Sequence, residues 1–214
     1  MRSLACVMIS CQQRSHARSE TIPQLQAVGI EPRVFLSPCD PPSQKSNGMV
    51  SGQALAWAAE TGKDVLFVED DIDLGPDFPW YLEHAPDAVT YFYINEQVNG
   101  RMQKLYGPRL ADDVLRGRPL ARRFLQPRTF IGLFGTQCVL IPKRFVAPLA
   151  LELTRPRMAF DGHLPHFADH HAHPIFIAVP NPVQHRNVNV ARSDRPAKPK
   201  LSYSFNSPRL EEGA

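Results

Sequence analysis

Between Val65 and Leu74 the chain reads VLFVEDDIDL, four apolar residues leading straight into Glu69, Asp70 and Asp71, with Asp73 one residue further on. Carboxylates this close repel one another unless a cation lies between them. Hard oxygen ligands at this density suit Mg²⁺ or Mn²⁺. The apolar half reads as a short buried strand of a parallel sheet. In open α/β sheets ligands bind outside the carboxyl ends of the strands, which is where these acids fall. A solvated acidic turn is the plainer reading of an isolated Asp-Asp pair. The buried strand in front of this one favours a site.

A second group with chemical potential is DGHLPHFADHHAHP, which places His163, His166, His170, His171 and His173 close together. Taken alone it suggests zinc, and a metal-dependent hydrolase using the 163–173 cluster is one competing function. The spacing lacks the His-x-x-x-His with a Glu that zinc hydrolases carry on a helix. Pro165 and Pro174 argue against a long helix, so the stretch is expected to be a loop rimming a cleft. A histidine there could still act as acid or base near neutral pH. The third group is basic: residues 95–128 carry eight Lys or Arg against three Asp or Glu. A basic rim would suit a nucleic-acid-binding module, the other competing function, though no known recognition motif accompanies it. A solvated basic surface accounts for the same residues.

The elements that must position these groups follow in a regular order. Leu4–Ser10 is a continuous apolar run and reads as a buried first strand. Polar CQQRSHARS follows it. Ser19 or Thr21 can cap the next helix, with Pro23 in or near its first turn and Gly29 as its stop. Pro32–Leu36 is a second strand, and SPCDPPSQKSNG a loop. Ser46 or Asn47 can cap a helix over Met49–Thr61, with Val50, Ala54, Trp57 and Ala58 on one side. The acidic strand comes next. This β-α-β-α-β order predicts an α/β fold with a parallel sheet. Beyond it, DFPWYLEHAPDA reads as a short helix and turn, and Val89–Ile94 as a strand. Residues 95–128 are expected to be loops with a short helix at Asp112–Leu115. Thr129–Ile141 reads as strands broken by a close-approach turn at Gly132 and Gly135. Pro142–Leu153 is a predicted helix and Ile175–Val179 the last strand.

With 214 residues, 43% of them apolar, the chain has enough material for one domain over residues 1–190. Residues 191–214, basic and proline-containing, read as a flexible tail. No apolar run is long enough to span a bilayer, and the N-terminal run reads as a strand rather than a signal peptide. The four cysteines show no metal-ligand spacing, so reduced thiols in a cytoplasmic protein are expected.

Over roughly Leu4–Arg192 the sequence resembles the GT-A glycosyltransferases, and within them the family 25 type (lipooligosaccharide and collagen galactosyltransferases). The resemblance rests on the order and spacing of five features: VMISCQQR, IPQLQAVGIEPRVF, VLFVEDDIDL, the run from Gly135-Thr136 to Leu149, and Asp161 in FDGHL with Pro182–His185 in PVQH after it. In the helix before the acidic strand the family often has Ser-His, where this chain has Ser51-Gly52. The departure bears on substrate rather than fold.

The resemblance implies a GT-A (Rossmann-like), mainly parallel mixed sheet flanked by helices. It implies transfer of a hexose from a nucleotide-sugar, expected to be UDP-linked, to a hydroxyl on a glycan, a lipid or a modified DNA base. Asp71 would be the direct ligand of Mn²⁺ or Mg²⁺, with His185 as second ligand and Asp73 as an extra one. Asp70 would contact the ribose, and Glu69 the donor or a structural partner. Asp161 is the expected base of an inverting transfer, or else a cap of the helix that follows. Topology places Ser10, Gln12, Arg14, Pro38 and Asp40 near the nucleotide. Lys45 is a candidate phosphate contact, and Gly135 and Thr136 are candidates for the sugar or acceptor pocket.

Overall fold

The computed structural model describes residues 2–37, 44–96, 101–127, 133, 136–156, 158–186 and 203–206. The chain runs through β1 (Leu4–Ser10), α1 (Ser15–Ala27), β2 (Pro32–Leu36), α2 (Gln44–Glu60), β3 (Asp64–Glu69), β4 (Ile72–Leu74) and α3 (Phe78–His84). It continues through β5 (Val89–Tyr91), α4 (Arg101–Tyr106), α5 (Pro108–Leu115), β6 (Arg123–Leu125) and β7 (Cys138–Ile141). The last elements are α6 (Lys143–Glu152), α7 (Phe160–His170), β8 (Ile175–Val179) and β9 (Val183–His185). Seven strands form one sheet in the order β2-β1-β3-β7-β5-β8-β6. β1 pairs in parallel with β2 and β3, and β5 with β8. β7 lies antiparallel between β3 and β5, and β6 lies antiparallel on the edge beside β8. The fold is therefore α/β, with a mainly parallel mixed sheet between helices.

The continuous apolar runs of β1 and β3 have a direct cause. Successive side chains of a strand point to opposite faces, and both faces of this sheet are covered. Val7, Ile9, Val65 and Phe67 join one core with Val50 and Ala54 of α2, Leu149 of α6 and Phe160 and Phe167 of α7. Cys6, Met8, Leu66 and Val68 join a second core with Leu25 of α1 and Phe78 and Tyr81 of α3. A strand buried on both sides has no polar positions to alternate with. The thiols of Cys6 and Cys138 lie in the second core, where burial pushes their pKa values up.

Several elements differ from the sequence expectation. α1 begins at Ser15, after a 3-10 turn at Gln12–Arg14, and Pro23 lies inside it. The residues expected to cap it are used otherwise: Ser19 donates to the His16 carbonyl, and the Thr21 hydroxyl lies 2.8 Å from the Asp70 carbonyl and 3.1 Å from that of Ile72. α2 begins at Gln44, before the expected Met49. Its Gly52 backs onto α6: a Cβ there would lie 3.0 Å from both the Cβ and the carbonyl oxygen of Leu153. The glycine that departs from the family pattern is thus where α2 passes close to the C-terminal end of α6. The histidine stretch, expected as a loop, is helix α7 with Pro165 inside it. Pro165 falls in the second turn, so it removes one backbone bond, to the Asp161 carbonyl. Burial of Phe160, Leu164, Phe167 and Ala168 outweighs that loss. Within residues 95–128 the chain forms α4, α5 and β6, more structure than the expected loops and one short helix. The apolar face of α5, Leu110, Ala111 and Val114, is buried.

Part of the stretch read as a tail is packed. Tyr203–Asn206 forms a 3-10 turn, and Ser204 is fully buried. It meets Glu96, itself only 2% exposed. The Glu96 carboxylate accepts from the Ser204 backbone N–H at 2.8 Å, the Ser204 hydroxyl at 2.6 Å and the Tyr106 hydroxyl at 2.6 Å. The Asn181 backbone N–H in turn donates to the Ser204 hydroxyl at 2.9 Å, which ties the turn to the corner between β8 and β9. Substituting Glu96→Ala leaves buried donors without an acceptor. The expected cost is about 2–4 kcal/mol in urea denaturation. A change below about 0.5 kcal/mol would mean that water or rearrangement replaces the clasp.

Candidate functional site

β3 lies between β1 and β7 in the interior of the sheet, and it ends at Glu69. The Glu69 N–H donates to the Gln137 carbonyl at 2.8 Å, just before β7 begins, so residues 136–137 sit beside the strand end. The chain bends at Asp70 and Asp71 and then enters β4, which pairs antiparallel with β9. In that register Ile72 lies opposite His185, and the Arg186 N–H donates to the Asp71 carbonyl at 2.6 Å. This short ribbon is what brings His185 to Asp71: its Nε2 lies 3.1 Å from Asp71 Oδ2. One ligand atom each from Glu69, Asp71 and His185 lie within 4.8 Å of one another. Two carboxylates and an imidazole make a fitting donor set for Mn²⁺ or Mg²⁺. The fit has a second support: Asp71 Oδ1 is buried and accepts no hydrogen bond among the described residues.

Asp70, fully buried, faces a different set of groups. Its carboxylate accepts from the Ser10 hydroxyl at the end of β1 and lies 3.1 Å from Arg14 Nη1. Arg14 Nη2 also contacts Asp71. Arg18 Nη1 donates to the Ser10 hydroxyl at 2.6 Å and to the Cys11 carbonyl at 2.5 Å. Burial pushes the Asp70 carboxyl above its usual range, while the Arg14 guanidinium and the Ser10 hydroxyl work the other way.

Of the residues expected at the site, Ser10, Arg14, Glu69, Asp70, Asp71, Thr136 and His185 gather at this end of the sheet. Gln12 is exposed in the 3-10 turn. Asp73 is turned to Arg186 Nε at 3.4 Å and Gln24 Nε2 at 3.1 Å, outside the group of three potential ligands. Asp161 is in the first turn of α7, two residues after the capping position, which Ala159 holds. A negative charge in the first turn of a helix interacts favourably with the helix dipole. Its charge reaches Tyr91, where burial first and Asp161 second push the phenol pKa up. Pro38, Asp40 and Gly135 lie outside the described residues, as does the side chain of Lys45 on α2.

Sequence reasoning missed three contributions. Glu69 joins Asp71 and His185, a grouping hinted at only by its even spacing from Asp71. Gln137 is buried beside Glu69, with no hydrogen-bond partner for its Oε1 among the described residues. Arg186 braces the ribbon, contacting Glu20 and Thr21 of α1 as well as Asp73.

The histidines of α7 form no comparable group. The only set of three potential ligands among the described residues is Glu69, Asp71 and His185. His163 and His171 instead face Glu152 of α6, at 3.3 Å and 2.9 Å. His173 packs on Phe145, with ring centroids 4.0 Å apart. Three residues of the basic stretch have partners within the fold. Arg116 pairs with Asp112, Arg118 with Asp113, and Arg122 lies over the Trp80 ring. Among the described residues no helix is long and apolar enough to cross a membrane.

No family model matches the chain, and no curated protein matches it. One solved structure similar in part is described as a glycosyltransferase involved in the glycosylation of the major capsid of PBCV-1. It is 9% identical, covers 71% of this chain with a TM-score of 0.42, and the chain spans 66% of its length.

The His163–Glu152 contact has a pH consequence. Burial holds the His163 pKa below its ordinary 6.5, although Glu152 pulls the other way. The folded state therefore prefers the neutral ring. Its contribution to stability is present above pH 6.5 and is lost as pH falls through the lowered folded value. Stability is expected to decline as pH falls below 6.5, and His163→Gln to flatten that decline. Parallel urea midpoint-against-pH curves for the two proteins would show the ring to be irrelevant.

Proposed function

We propose that the protein is a metal-dependent glycosyltransferase that moves a hexose from a nucleotide-sugar, UDP-linked, to an acceptor hydroxyl on a glycan, a lipid or a modified DNA base. The observation that carries this reading is the convergence of Glu69, Asp71 and His185 at the carboxyl end of β3. That is the position where open α/β sheets bind their ligands. These three residues would hold Mn²⁺ or Mg²⁺. The cation would stabilise, as a Lewis acid, the charge that builds on a diphosphate leaving group.

The chain's own groups fit the remaining tasks. Ser10, at the end of β1, and Arg14, in the turn after it, both reach the Asp70 carboxylate, so a nucleotide over this edge would meet both a hydroxyl and a guanidinium. Thr136 is buried before β7, next to the residue whose carbonyl accepts from Glu69. Asp161 is our base for an inverting transfer. It takes the acceptor proton as that oxygen attacks the anomeric carbon and the bond to the diphosphate breaks. Its place in the first turn of α7 sets a negative charge beside the positive end of the helix dipole.

Calorimetric titration of UDP with Mn²⁺, and again with EDTA, tests the reading. Binding should require the metal. Asp71→Asn should weaken it by at least about tenfold while the fold stays intact by circular dichroism. UDP binding that is indifferent to EDTA, or unchanged in Asp71→Asn, removes the metal site. Asp161→Asn should bind UDP normally and slow transfer by about 10²–10⁴-fold in single-turnover measurements. A normal rate would take the base role from Asp161.

A further inference from the structure

The cation that meets Asp71 from within the chain is Arg14. Its Nη2 contacts Asp71 Oδ2, the same oxygen that lies 3.1 Å from His185 Nε2. Its Nη1 lies 3.1 Å from Asp70 Oδ1. The fork therefore spans two adjacent buried carboxylates, and only 15% of the Arg14 side chain is exposed. Asp70 keeps a second anchor, the Ser10 hydroxyl, whereas among the described residues the Asp71 carboxylate meets Arg14 and His185. A divalent cation on Glu69, Asp71 and His185 would need the Asp71 carboxylate and the His185 ring nitrogen that faces it. Guanidinium and metal would then crowd one carboxylate, two positive groups within a few ångströms in a site screened from water.

Resting on the reading of these three residues as a metal site, we propose that Arg14 is a built-in counter-cation. It holds Asp71 while no metal is bound and competes with the metal for that carboxylate. Arg14 comes from the short turn between β1 and α1, so its side chain can leave Asp71 while Asp70 stays fixed by Ser10. A planar guanidinium released at this edge is suited to a diphosphate, which it can grip with two parallel N–H donors. Metal and nucleotide diphosphate then assist each other, because the diphosphate accepts the cation that the metal displaces. By linkage the assistance is mutual.

The test is a Mn²⁺ titration without nucleotide, followed by the free-ion electron paramagnetic resonance signal, on wild type, Arg14→Gln, Arg14→Lys and Asp71→Asn. Arg14→Gln should bind Mn²⁺ about tenfold or more tightly than wild type. Arg14→Lys, which keeps the charge, should fall between the two. Mn²⁺ should also raise the unfolding temperature of Arg14→Gln more than that of wild type, a readout independent of activity. Equal or weaker binding by Arg14→Gln, with wild-type binding lost in Asp71→Asn, overturns the competition and leaves the metal site standing. If Arg14→Gln is too unstable to titrate, Arg14→Lys decides: binding no tighter than wild type overturns the proposal. No Mn²⁺ binding by any of the four proteins overturns both the competition and the metal site beneath it.

Discussion

Two adjacent aspartates, Asp70 and Asp71, are buried where β3 leaves the sheet, and the surrounding structure is built to meet their charge. Carboxylates removed from water are costly unless they are paired and hydrogen-bonded. The partners come from both ends of the described chain. Ser10 and Arg14 approach from the first strand and the turn after it, while His185 and the Arg186 backbone approach from the last ribbon. Thr21 of α1 holds the carbonyls on either side of the bend. The bend thus joins β1, α1, β3 and β9.

The sheet explains why the bend sits where it does. β1, β2 and β3 run the same way, so their carboxyl ends share one edge. β7 enters antiparallel to β3, so it begins at that edge, and residues 136–137 arrive there as neighbours of Glu69. A parallel β7 would have brought its other end. The single reversal in the middle of the sheet therefore contributes to the candidate site as well as to the core.

Much of this was legible in the sequence. The runs LACVMIS and VLFVED announce strands buried on both faces, and the acids after the second mark the carboxyl end of a strand. His185 was picked out through a family resemblance rather than through any local pattern. What was not legible depended on contacts distant in the chain. Thr21 reads as a helix cap, because hydroxyls near a helix start usually serve that way; its actual partners are 49 and 51 residues on. The α7 stretch reads as a loop because two prolines outweigh a modest apolar face until the core against which it packs is known. The fork of Arg14 across two aspartates has no signature at all, since an arginine in a polar turn is ordinary.

Glu96 carries a consequence for how the molecule is made. Two of its hydrogen-bond donors belong to Ser204, 108 residues later in the chain. During synthesis the strands, the helix bearing Tyr106 and the ribbon bearing His185 all emerge while that carboxylate still lacks its full complement of donors. The finished arrangement around it is thus closed by a segment made long after the core itself. A ribosome that stalled before residue 203 would release a chain with the sheet complete and this carboxylate short of partners, a species that quality control could tell from the mature one.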